Sequence, residues 1–175
     1  MQTKYKALTG MACAVLVLAG AAAWFYWLQA TTDQQQRGTV TAQKEALHVF
    51  FPLGKTKLVR RVLELRADVP DREKADLLLK ELKKEKAINP GVQLRDVAVG
   101  IDSVLYLNLS KNLTEGQPTG APEIVMVYAI VNSFVTSFKD VRKVQFLVDG
   151  EAPFTVGGLV YTYLPLEFNR DLMED

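Results

Sequence analysis

Residues 129–151, AIVNSFVTSFKDVRKVQFLVDGE, constrain the fold most, because they pass from helical to strand periodicity and then reverse direction. Apolar side chains at Ile124, Val127, Tyr128, Val131, Phe134, Val135 and Phe138 recur at helical spacing and mark a buried helix stripe. Lys139 and Asp140 break the pattern. Residues 143–148 are too few and too apolar for a second helix in a compact domain, so the spacing predicts an inner strand ending at the hairpin signal Asp149-Gly150. Ile130, Val131, Asn132 and Phe134 on the helix, Val144, Phe146 and Val148 on the strand, and Asp149 and Gly150 at the turn are thus expected to build core and reversal. None of them is expected to do chemistry.

The N-terminus decides where the chain resides. No charge falls between positions 7 and 32, and at about 1.5 Å per residue the stretch 8–28 reaches about 30 Å, enough to cross a hydrocarbon core. Leu8, Leu16 and Leu18 lie in its body, while Trp24, Phe25, Tyr26 and Trp27 cluster at the far end, where amphipathic rings favour the membrane interface. Lys4 and Lys6 precede the span, so residues 1–6 are expected in the cytoplasm, 7–30 in the membrane and the remainder outside it. Two alternatives stay open. The small residues Ala21, Ala22 and Ala23 suit a signal peptidase, although cleavage there leaves an exposed aromatic patch at the new terminus. Lipidation at Cys13 is the other, although Gly10-Met11-Ala12 lacks the leucine usual three residues upstream.

Residues 31–45 are polar and glutamine-rich and read as a tether, whose dozen or so coil residues would span about 20 Å. The folded part is expected over 46–168, with 169–175 as a tail. Strands are predicted at 47–51, before Pro52, and at 57–66, then a helix from Pro70 to Lys86 with Ala75, Leu78, Leu79 and Leu82 inward. After the stop signal Asn89-Pro90-Gly91, residues 94–101 and 104–109 read as a β-hairpin and 111–122 as a loop. An additional strand could form near 154–156. The order β-β-α-β-β-α-β defines an α+β two-layer sandwich, a mainly antiparallel sheet with two helices on one face.

Several of these segments share wording with a known module. LYLNLS at 105–110, IVNSF at 130–134, VQFLVDGE at 144–151, Gly157-Gly158 and LPLEF at 164–168 resemble the GerMN domain of bacterial sporulation and germination proteins. The likeness covers 47–168 in a single copy. It implies a non-catalytic, extracytoplasmic envelope module that binds another envelope protein or associates with itself. Peptidoglycan binding, or service as an accessory to a wall hydrolase, is the alternative it leaves. Relatives often carry Gly-Pro after the first helix, where this chain has ELKKEKAINPG, so a partner surface built there differs.

The residues themselves supply no signature of catalysis. His48 is the only histidine, and none of the candidate nucleophiles Ser103, Ser110 and Ser133 sits in a GxSxG elbow, so His48 is expected to face solvent from a strand. A hydrolase with an unrecognised site remains a third reading. One histidine and one cysteine leave only carboxylates for a metal, and Asp68, Asp71, Glu73 and Asp76 read as helix capping and a wet face. Gly157-Gly158 lacks a phosphate-loop context, so no cofactor is expected. A net charge of +1 gives no field for nucleic acid. Lys80, Lys83 and Lys84 form a basic cluster within reach of anionic lipid or wall polymer, interrupted by Glu81 and Glu85 as in an ordinary solvated face. An exposed apolar patch or an open sheet edge would favour a protein partner, and a groove lined by Tyr106, Tyr161 or Tyr163 would favour glycan. A deep pocket of carboxylates around His48 would favour an enzyme.

Overall fold

The computed structural model describes Trp24 and residues 44–115 and 120–174. The expected membrane anchor lies outside the described residues apart from Trp24, as does the tether up to residue 43. Among the described residues no helix is long and apolar enough to cross a membrane.

Strand β1 (Lys44–Leu53) pairs antiparallel with β2 (Lys57–Arg66), with Leu47 opposite Leu63 and Val49 opposite Arg61. β1 therefore starts within the expected tether, at Lys44. Helix α1 (Asp71–Lys84) follows Pro70 and buries Ala75, Leu78, Leu79 and Leu82, the expected stripe. Its end comes before Lys86, because Lys86 adopts φ 57° and the amides of Lys86 and Ala87 return to the carbonyls of Lys83 and Leu82. Those two bonds form a Schellman cap with lysine in the position glycine usually takes.

β3 (Leu94–Val99) and β4 (Val104–Leu109) form the expected hairpin. A single helical turn, α2 (Asn112–Glu115), interrupts the expected loop. Helix α3 (Glu123–Ser137) then leads to β5 (Lys143–Val148), and β6 (Leu166–Glu167) pairs with β5. The fold is α+β, but its strands form two sheets: the β1–β2 pair and a four-stranded sheet of order β3-β4-β5-β6. β4 and β5 are parallel, Leu105 beside Val144 and Leu107 beside Phe146. A strand that returns through a helical crossover can enter beside its predecessor in the same direction, as β5 does after α3. The strand expected near 154–156 is only an isolated bridge between Thr155 and Tyr161.

Helix α3 is buried almost all round, because α1, the β1–β2 hairpin and the four-stranded sheet all pack against it. Its polar residues hold the hairpin in register. Ser133 Oγ accepts the Phe50 amide at 2.8 Å, and Ser137 Oγ accepts the His48 amide at 2.8 Å. Four helical residues rise about 6.0 Å and two strand residues about 6.6 Å, so hydroxyls one turn apart match alternate amides of an extended strand. Pro52, next in the same alternation, has no amide to satisfy. The β1 edge facing α3 is thereby closed to foreign strands.

Residues 169–174 are integral to this unit, not a tail. Asn132, fully buried, donates from Nδ2 to the Asn169 carbonyl and accepts the Asn169 amide at Oδ1, both at 2.9 Å. Phe168 packs edge-on against Phe50 at 5.6 Å. Further on, the Leu58 amide bonds to the Leu172 carbonyl and the Glu174 amide to the Leu58 carbonyl, which caps the start of the outer β2 edge.

Candidate interaction surface

The segment after β5 crosses the outside of the four-stranded sheet and is fixed at several points. Asp149 (φ 47°) and Gly150 (φ 97°) make the expected reversal, and Glu151 bridges back to Val148. The Thr162 amide bonds to the Phe154 carbonyl at 2.8 Å, and buried Gln145 donates to the Thr162 carbonyl at 3.2 Å. Glu123, in the first turn of α3, holds the loop beyond. Its Oε1 accepts the amides of Gly157 (2.7 Å) and Val160 (3.1 Å), and its Oε2 accepts that of Leu159 (2.7 Å). A carboxylate is favoured at a helix N-terminus, and here it also fixes a loop. The glycines follow from this: a Cβ on Gly157 would lie 3.0 Å from the Glu123 carboxyl carbon, and Gly158 takes φ 101°.

This strap displays apolar side chains outward. Phe154 is 69% exposed, Leu159 86%, Tyr161 52%, Tyr163 45% and Leu164 58%. The rings of Phe154 and Tyr163 stack at 5.0 Å and 12°, and Tyr161 lies 6.2 Å from Tyr163. No charged residue occurs from Ala152 to Leu166. Tyr106 lies on the adjoining sheet face, in register with Ala98 on one side and Gln145 on the other. Phe154, Leu159, Leu164 and the clamping Glu123 were not singled out from sequence, although the uncharged run was there to be read.

The other expected sites fall elsewhere. Ile130, Val131, Phe134, Val144 and Phe146 are core, Val148 is half-buried, and Asp149 and Gly150 are exposed at the turn. His48 does not face solvent as expected. It is half-buried, and its Nδ1 is enclosed with no hydrogen-bond partner among the described residues, because β1 is covered by neighbouring structure on both faces. Desolvation, with Arg60 nearby, holds its pKa below the ordinary histidine value. Ser137 engages the His48 main chain, donating to its carbonyl at 3.2 Å, while Ser133 and Ser110 serve the amides of Phe50 and Gln93. Among the described residues, none of these hydroxyls meets the His48 ring and no three metal-binding side chains converge. On α1, Lys80 and Lys84 are exposed and Lys83 half-buried, with Lys84 3.4 Å from Glu81 and Glu85 2.7 Å from Arg61. This is a mixed-charge face separate in sequence from the strap.

Fold and sequence together define an α+β module. The chain belongs to the Germane family, described as sporulation and spore germination, whose model matches residues 25–153. Among solved structures, the tandem GerMN domains of the sporulation protein GerM from Bacillus subtilis are similar at 14% identity and a TM-score of 0.54, over 78% of this chain. This chain spans 50% of that tandem protein. A Clostridium perfringens protein provisionally described as a lipoprotein matches at 14% identity and a TM-score of 0.42, over 71% of this chain and 87% of its own. The first GerMN domain of the Bacillus subtilis protein matches at 13% identity and 0.43, over 73% of this chain and 98% of its own. No curated protein sequence matches the chain. The family match ends at residue 153, so the exposed strap lies beyond it.

Proposed function

We propose that this chain is a membrane-anchored, extracytoplasmic interaction or scaffold module of the bacterial cell envelope, working in sporulation, germination or envelope assembly without catalysis of its own. The observation that carries this reading is the exposed apolar cluster on the strap, with Leu159 at 86% and Phe154 at 69% exposure. Holding such side chains in water is unfavourable, and aromatic residues are enriched in the cores of protein interfaces. The apolar stretch 8–28 supplies the anchor, with the N-terminus in the cytoplasm.

Binding to peptidoglycan, alone or beside a wall hydrolase, is the second reading, favoured by the neighbouring rings of Tyr161 and Tyr163. The stack of Phe154 on Tyr163 weighs against it, because each ring turns one face to the other and away from a sugar. Chemical crosslinking of the full chain in native membranes should yield discrete protein adducts. Measurable turnover of purified wall material that His48→Ala abolishes would overturn the assignment in favour of a hydrolase.

A further inference from the structure

We infer that the strap is the contact through which one copy of this chain pairs with a second. The inference rests on the interaction-module reading and names the partner. Three observations lead to it. The first is electrostatic. From Ala152 to Leu166 the strap's own residues carry no charge, and the Glu123 carboxylate held against it is engaged by the amides of Gly157, Leu159 and Val160, so bringing the strap against its own copy sets little like charge together. A two-fold contact places the same patch on both sides and therefore requires self-complementarity.

The second is area. With fully open side chains on the order of 200 Å², the exposed fractions of Phe154, Leu159, Tyr161, Tyr163 and Leu164 amount to about 600 Å² on one copy. Two copies would bury about 1,200 Å², at the lower limit of stable protein interfaces. A pair of that size is weak in dilute solution. Copies anchored by residues 8–28 share one plane, and confinement raises their effective concentration without any added contact.

The third is rigidity. The loop bearing Leu159 is held by the three amide bonds to Glu123, and Gln145 holds Thr162, between Tyr161 and Tyr163. A patch fixed in this way loses little freedom on binding, which favours association. The other candidate surfaces are less suited. The exposed row of β2 carries Arg60, Glu64 and Arg66 around Val62, and α1 carries mixed charge.

The test uses the full chain in native membranes with a photoreactive residue in place of Leu164. Irradiation should give an adduct of twice 19.5 kDa that yields peptides of this chain alone. Leu159→Asp should lower the yield at least tenfold, and so should Leu159→Lys. Co-expressing the two should restore it, because opposite charges then meet across the two-fold axis. Leu159 is 86% exposed, so neither substitution disturbs the core. Adducts containing only a different protein would overturn self-pairing and leave the interaction-module reading standing. Adducts that collapse on muramidase digestion would overturn both in favour of wall glycan. Adducts from a probe at Lys80 and none from Leu164 would overturn the strap as the surface.

Discussion

Ser133→Ala should detach the middle of β1 from α3. In the native chain the Ser133 hydroxyl accepts the Phe50 amide at 2.8 Å and donates to the Ala129 carbonyl at 2.6 Å, with Ser133 itself fully buried and Phe50 nearly so. Removing it strands the Phe50 amide where water does not reach, which costs about 1–3 kcal/mol. The Ala129 carbonyl keeps its place in the helical ladder and adds little. Ser137→Ala should cost less, about 1 kcal/mol, because half-buried His48 lets water approach the freed amide. The double variant should depart from additivity, since both bonds hold one strand. Thr136→Ala is the control: that hydroxyl bonds the Asn132 carbonyl within the same helix from an exposed position, and its loss should stay within about 0.5 kcal/mol. Urea unfolding of the compact unit beginning at Lys44, with amide exchange at Phe50, measures both. If Ser133→Ala matches Thr136→Ala in midpoint and the Phe50 amide stays protected, the docking argument is refuted.

Three further outcomes follow from the same contacts. Asn132→Ala removes both 2.9 Å bonds to Asn169 and should cost about 2–4 kcal/mol by urea unfolding, with exchange of the Leu58 and Glu174 amides accelerating as the terminal segment loosens. Glu123→Gln presents an amide nitrogen to one of the three strap amides; global stability should fall by about 1 kcal/mol while exchange at Gly157, Leu159 and Val160 rises sharply. His48 titrates below its ordinary value of 6.5 in the folded chain, through burial and Arg60, so the unfolded chain takes up the proton first. Stability should therefore fall as pH drops through the range near 6.5 and level off below the folded value, and His48→Gln should flatten that slope in unfolding curves between about pH 7.5 and 5.

Local periodicity made much of this fold legible. β2, β4 and β5 fall at the expected residues because each is set off by clear turn or loop residues, and β2 and β4 alternate inward and outward side chains. The end of α1 departs from the expected Lys86 because its cap places that lysine, not glycine, in the left-handed position. The parallel pairing of β4 with β5, and the separate β1–β2 sheet, depend on how the chain crosses over, which no window of sequence records. Asn132 falls where the sequence expects core, with Ser133 beside it; both are fully buried, where a polar side chain needs partners that distant segments supply and that no local pattern names. The strap was hardest to read. Its side chains follow no sheet or helix period, since Glu123, Gln145 and the Gly157-Gly158 turn determine which of them face outward.

The proposed function places the protein's interactions on the outward face of residues 154–164. Photoreactive residues placed singly at Leu159 on the strap and at Lys80 on the wet face of α1, in the full chain in native membranes, test it most directly. Protein adducts are expected from Leu159 and none from Lys80. Adducts from Lys80 alone would contradict it.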